Sequence, residues 1–278
     1  MSETVGDLDM VVRSVAAPEN ATSGSLIFMQ ACSAMITPGV VVVTTDPLKT
    51  VGGCCIVTID PRRWFARALE SLFPPDAPTI SEHAVIAKTA RIATGVSVGP
   101  FCVIGEYASI GEGTRIGSHV TIHDSCRIGS GCVVQDHTVI GSSGVAYYRD
   151  AGEEWFGLPH LGIADLGDNV EVGAHCVVVR GILNDTIIES GTKIGNFVNI
   201  GHNAVIGKKC WITSGAVICG RVIMGENVLV AANASVRDKI AVGARSRIGL
   251  GAVVTKDLPA DSKIFGNPGR PLRTMGSF

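Results

Sequence analysis

The sequence predicts an all-β solenoid, a parallel β-helix preceded by a small α/β domain. Three observations carry that expectation. An aliphatic residue returns every six positions between residues 80 and 254. The chain is rich in glycine and poor in aromatics, with 34 Gly and 5% Phe, Trp and Tyr. The first 75 or so residues lack the period and read as ordinary strands and a helix.

The period comes in two blocks. The first runs Ile80, Ile86, Ile92, Val98, Ile104, Ile110, Ile116, Ile122, Ile128, Val134, Ile140. The second runs Leu166, Val172, Val178, then Ile188, Ile194, Ile200, Ile206, Ile212, Ile218, Met224, Val230, Val236, Val242, Ile248, Val254. All 26 hexads open on Ile, Val, Leu or Met, and 14 continue with Gly. The fifth position is mostly small, as at Ala84, Cys102, Ala108, Cys126, Cys132, Cys176, Ala204 and Cys210. Side chains two apart on a strand share a face, so the small residue and the next aliphatic point into one core. Gly after the aliphatic is expected to permit a tight turn. Six does not fit the 3.6 period of a helix. It fits short strands with a corner after each, the hexapeptide signature of a β-helix. Three hexads close one triangular turn, which gives somewhat under nine turns, each buried against the next.

Two breaks interrupt the period. From about Gly144 to Asp165 the chain carries Tyr147, Tyr148, Trp155, Phe156, Pro159 and His160, with four of its fourteen aromatics. A loop projecting from a solenoid is a usual place for binding residues, and packing on its own coil is the plainer alternative. Between Val178 and Ile188, Arg180, Gly181, Asn184 and Asp185 bulge one corner, to hold a substrate or to satisfy backbone groups. Before the period, Val40–Val43 and Cys55–Val57 read as buried strands. Pro61, Trp64, Phe65, Ala68 and Leu69 read as an amphipathic helix with Pro near its start. Pro74, Pro75 and Pro78 form a linker. The expected organisation is residues 1–75 as the α/β domain, 76–258 as the β-helix with an insert at 144–165, and 259–278 as a tail.

Composition narrows function. Lys+Arg is 23 against Asp+Glu 25, so a nucleic-acid partner held by bulk positive charge is excluded. No run of eighteen apolar residues exists, so no membrane span is expected. Met1–Met10 is acidic and lacks a hydrophobic segment, so a cytoplasmic location is expected. The nine cysteines include no C-x-x-C pair, and five fall on the small fifth position, where they read as buried hydrophobes. No metal and no bound cofactor is expected.

The hexads resemble those of hexapeptide-repeat acyltransferases. That resemblance implies a left-handed solenoid, since the crossover rule alone favours a right-handed one. A narrower likeness follows. Gly24-Ser25-Leu26-Ile27-Phe28 and Thr58-Ile59-Asp60-Pro61-Arg62, with Phe65-Ala66-Arg67, are similar to the uridine-binding domain of UDP-3-O-acylglucosamine N-acyltransferases of the lipid A pathway. Arg180-Gly181-Ile182-Leu183-Asn184-Asp185-Thr186-Ile187-Ile188 resembles that family's bulged coil, and Ile200-Gly201-His202-Asn203 its catalytic coil. The chain departs from the family at Ala31 and Ala34, where uracil-holding Asn and Tyr are usual, and near Ser235–Asp238, where a second His is usual. Its ending, with Gly266-Asn267-Pro268, is more like acetyl-CoA-dependent sugar acetyltransferases.

Amide formation from a thioester needs a base, oxyanion donors and two aligned substrates. His202, outward at a corner after Gly201, is the expected base. The resemblance implies Asn196 as a site residue, and Asn199 and Asn203 lie close in sequence. A backbone N–H near Gly220 is the expected oxyanion donor. Tyr147 in the insert is an expected substrate contact, and Phe28 either stacks on the uracil of the nucleotide or packs in its domain. The co-substrate implied is an acyl carrier protein thioester or a CoA thioester, the acceptor a nucleotide-linked amino sugar, and the assembly a homotrimer. Two rivals are a non-catalytic paralogue and a zinc hydratase using His83, His119 and His123.

Overall fold

The computed structural model describes residues 3–5, 11–28, 39–45, 54–74 and 76–266. The chain divides into two compact units, Met1–Ala77 and Pro78–Phe278.

The first unit is a five-stranded sheet with one helix. Ser14–Val15, Ser25–Phe28, Val41–Thr44 and Cys54–Val57 pair in parallel, and Glu3–Val5 closes the other edge antiparallel to Cys54–Val57. The central strands are apolar apart from Ser25 and Thr44 at their ends, which are themselves buried, because both faces are covered. Leu26, Val41, Val43 and Cys54 pack with Trp64, Phe65 and Ala68 of the helix Pro61–Leu72. Ile27, Val40, Val42 and Cys55 form the opposite face with Ala16, Ala21 and Val57. The helix starts where Asp60 accepts the Arg63 N–H at 3.1 Å and Pro61 takes the first turn, whose N–H groups need no helical partner.

The second unit is a left-handed parallel β-helix with three faces of nine, eight and nine short strands. The first face begins at Val85–Ile86, the second at Arg91–Ile92 and the third at Ser97–Val98. Nearly every strand ends on a hexad aliphatic, and each of these aliphatics from Val98 to Val254 is buried. Burying a Val, Leu or Ile side chain is worth about 1.5–3 kcal/mol, so the repeat itself drives the winding. Ile80 makes only a bridge to Val98, while Lys263–Ile264, in the stretch expected as a tail, pairs with Arg247–Ile248 and extends the third face.

Except at Gly141, whose φ is 85°, glycine follows the aliphatic for a reason other than its dihedral freedom. The left-handed backbone falls two positions later, on non-glycine residues such as Phe101, His119 and Asn203. At Gly99 a Cβ would stand 2.6 Å from the Gly117 carbonyl oxygen of the next coil, and at Gly207 2.6 Å from the Gly225 carbonyl carbon. Close approach of stacked backbones excludes a side chain there.

The fifth position is buried between the end coils, with Ala84 and Ala90 of the first partly exposed, and its polar members are satisfied along the stack. Thr114 Oγ1 donates to the Gly129 carbonyl at 2.8 Å and accepts the Cys132 N–H at 3.0 Å; Thr138 and Thr192 repeat this with Cys176 and Cys210. Burial pushes the thiols of Cys102, Cys126, Cys132, Cys176 and Cys210 up, so they stay protonated packing groups.

A ladder of rings runs along the edge between the third and first faces. His83, Phe101, His119, His137, His175 and Phe197 stack at centroid spacings of 5.5, 5.0, 4.7, 4.9 and 5.1 Å.

Candidate active site

Every departure from the regular coil lies on one edge, between the first and second faces. Ile140, Val178, Ile200 and Ile218 pair in succession on the first face. The insert leaves after Val139–Ser142, and the bulge leaves after Val177–Val179. The next two coils carry Gly201-His202-Asn203 and Gly220-Arg221 at the same corner. The insert, the bulge and His202 are therefore stacked on consecutive coils.

The bulge is clamped by Asn203. This residue has φ of 58°, a left-handed conformation that Asn adopts more readily than most residues. Its backbone N–H donates to Thr186 Oγ1 at 2.7 Å and its Nδ2 to the Asn184 carbonyl at 2.6 Å, while its Oδ1 accepts the Ile182 N–H at 3.1 Å. The same Oδ1 lies 3.0 Å from His202 Nδ1. An amide oxygen cannot donate, and the other bonds fix which atom it is, so the imidazole carries its proton on Nδ1. The Nε2 lone pair is thereby free. That atom lies over Gly220, 2.6 Å from where a Cβ on that glycine would stand.

Backbone donors at the corner are open. At Glu106, Ser118, Ser130, Asp168 and Ala174 the equivalent N–H is taken at 2.7–3.1 Å by a side chain of the next coil, from Asp124, Asp136, Asp168, Ser190 and Asn196. Gly220 has no side chain with which to cap His202. Among the described residues neither the His202 N–H nor the Gly220 N–H has an acceptor.

The end of the insert is fastened to the bulge. Arg180 Nε donates to the Gly162 carbonyl at 2.7 Å, and the Ile163 N–H donates to Asp185 Oδ1 at 3.0 Å. Arg127 bridges Asp165 at 2.7 Å and Asp185 at 3.3 Å. This brings His160 against His202, with ring centroids 5.7 Å apart and planes at 84°. His160 Nε2 is buried without a partner among the described residues. Burial, then the neighbouring His202, hold the His160 ring below the usual histidine range, and Arg180 acts in the same direction. Beyond it the insert is a hairpin, Tyr147–Arg149 with Trp155–Gly157, whose Tyr147 and Trp155 are exposed and whose Arg149 guanidinium lies 4.9 Å from the Trp155 ring centre.

The residues expected from sequence are distributed unevenly. His202 and Gly220 meet, and Tyr147 lies on the hairpin of the same edge. Asn199 is exposed on the outer side of its strand, between Val177 and Val217. Asn196 lies on the ring-ladder edge, where its Oδ1 accepts the Ala174 N–H at 2.9 Å. Phe28 ends a strand of the first unit, and its side chain lies outside the described residues. The histidines weighed for zinc are apart: Phe101 separates His83 from His119 in the ladder, and His123 lies on the next corner. Among the described residues no three metal-ligating side chains converge. Sequence reasoning missed the clamp by Asn203 and the arrival of His160. The first was legible as a His-Asn pair following a bulged coil, whereas the second needed the path of the insert.

Residues 107–142 match the family model of bacterial transferase hexapeptide repeats. The winding and this match define a hexapeptide-repeat solenoid. The UDP-3-O-acylglucosamine N-acyltransferase of Delftia acidovorans is 34% identical over 267 residues, which cover 91% of this chain and 78% of the relative. The chain belongs to the UDP-3-O-acylglucosamine N-acyltransferase family. Proteins of the same name from Methylorubrum extorquens and Methylorubrum populi are 37% identical over 117 residues, a match spanning 42% of this chain and a third of theirs. Among solved structures, UDP-N-acetylglucosamine acyltransferase from Francisella novicida superposes with a TM-score of 0.62 at 28% identity, covering 68% of this chain and 67% of that one. The Arabidopsis UDP-N-acetylglucosamine acyltransferase, at 24% identity and a TM-score of 0.53, covers 68% and 71% and shares the fold. Among the described residues no helix is long and apolar enough to cross a membrane.

Proposed function

We propose that the protein transfers an acyl group from a thioester to the amine of a nucleotide-linked amino sugar, with His202 as general base. The observation that carries this reading is the imidazole locked through Nδ1 by Asn203, with a free Nε2 above a corner that has no side chain. The relatives are named for N-acylation of UDP-3-O-acylglucosamine, which supplies the substrate class. Nε2 takes a proton from the amine as its nitrogen bonds to the thioester carbonyl carbon. The carbonyl oxygen becomes an oxyanion, for which the open N–H groups of Gly220 and His202 are the proposed donors. Collapse breaks the carbon–sulfur bond, and the imidazolium returns the proton to the leaving thiolate. Tyr147 on the exposed hairpin is a proposed substrate contact. The donor is acyl carrier protein or CoA thioester, the compartment the cytoplasm where both occur, and the assembly a homotrimer, which light scattering checks.

A mass-spectrometric transfer assay tests this. UDP-3-O-acylglucosamine and UDP-4-amino sugars are each offered with acyl carrier protein thioesters and with acetyl-CoA. Wild type is expected to form amide with one pair, and His202→Ala to lose about 10²–10⁴-fold in rate. No product with any pair would remove the proposal.

A further inference from the structure

We propose that His160 is a positioning residue of this centre: delivered by the insert, its ring stands edge-to-face with His202 and sets the orientation of that ring. The proposal rests on the reading of His202 as the base. His202 is otherwise held from one side only, by the Asn203 amide at Nδ1. The second ring, 5.7 Å away at 84°, occupies the space into which the first would swing.

The placement of His160 is built rather than incidental. Two residues beyond it, Gly162 accepts from Arg180, its N–H meets the Gly181 carbonyl at 3.1 Å, and the Leu161 N–H meets the Ile182 carbonyl at 2.7 Å. The segment carrying His160 is thus fastened to the loop that Asn203 clamps. On its other side Gly144 comes close, where a Cβ would stand 3.1 Å from His160 Nε2 and 2.7 Å from Val179 Cγ1.

The protonation of His160 follows from the same packing. Its Nε2 is buried with no partner among the described residues. Burial, His202 and Arg180 all oppose a charge on this ring, and only the Leu158 carbonyl favours one. His160 is therefore neutral when His202 takes up the amine proton. Two imidazolium rings this close would repel each other. A neutral neighbour avoids that repulsion while restricting the rotamer.

The test has an arm that needs no substrate. Histidine ring titrations are followed by NMR in wild type and in His202→Gln. The His160 midpoint is expected below that of free histidine and should rise when the His202 charge is removed. A midpoint that ignores His202→Gln overturns the coupling. The second arm compares His160→Leu, which fills the space without a ring, with His160→Phe, which keeps one. Leu is expected to lower kcat by tens of fold with little change in KM, and Phe to restore most of it, each beside a melting curve. Full kcat in the Leu variant, or a loss confined to KM, overturns the positioning role. Absence of transfer by wild type would count against the acyltransferase reading, while the ring titration would still decide the coupling.

Discussion

Gly220→Ala separates the fold from the chemistry. A Cβ at this position would stand 2.6 Å from His202 Nε2, 2.9 Å from Cδ2 and 3.0 Å from Cε1. The nearest atoms all belong to the end of one side chain. Ordinary contact requires about 3.5 Å, so the ring must retreat by roughly 1 Å. Backbone atoms are not among those three nearest neighbours, and Gly220 is not in the left-handed region. The fold should therefore survive with a stability change within about 1 kcal/mol. The reaction should not, because misplacing a catalytic group by 1 Å costs on the order of 10²-fold, or about 2.7 kcal/mol in the barrier. Gly201→Ala is the control, since its Cβ would meet Gly220 N at 2.5 Å and Cys219 C at 2.7 Å, both backbone. That variant should lose about 1–3 kcal/mol of stability as well as activity. Melting curves and the transfer assay, run on both, check the contrast. Full kcat in Gly220→Ala, or a melting loss as large as that of Gly201→Ala, would refute the placement of His202 over this glycine.

Three further outcomes are expected. Gly181→Ala should undo the bulge, because its Cβ would overlap the Asn184 carbonyl oxygen; a loss of about 2–4 kcal/mol in denaturant unfolding and loss of transfer check this. His160 makes the protein acid-sensitive: its folded pKa is lowered, so the unfolded chain binds the proton first, and stability should fall as pH drops below about 6.5 towards the folded value. Melting against pH should show that slope in wild type and less of it in His160→Phe. Thiol labelling of native protein near pH 8 should reach Cys219 before the other described cysteines, which are buried, and a denaturant should release the rest.

The period of six was enough to place the coils. Strands form at nearly every hexad aliphatic, because each one has a single low-energy destination, the axis of the prism. Spacing along the chain also contains the ring ladder. His83, Phe101, His119 and His137 are each eighteen apart, three hexads or one full turn. The stacking becomes visible only with the triangular cross-section, which brings residues one full turn apart to the same edge. The role of glycine was misjudged for a related reason: the crowding comes from the next coil, which a local dihedral argument does not contain. At the site, His202 and Gly220 were legible because they lie at the same corner on adjacent coils. Asn196, implied as a site residue by the resemblance, lies six residues before His202, which along this solenoid is another edge of the same chain. His160 was the least legible, since a loop without periodicity gives no register from which to place it.

The offsets between paired strands show how freely this edge accepts new chain. Arg127 pairs with Asp165 across 38 residues and Asp165 with Ile187 across 22, where a regular coil takes 18. Twenty and four extra residues leave one coil and rejoin the next, and the second and third faces continue in parallel register. Departure and return are one coil apart, about 4.8 Å. The edge works as a socket with a fixed footprint, into which hairpins of different length and side-chain chemistry can be fitted. Exchanging the Tyr147–Gly157 hairpin for another would change the side chains presented at this edge without rewinding the helix that holds it.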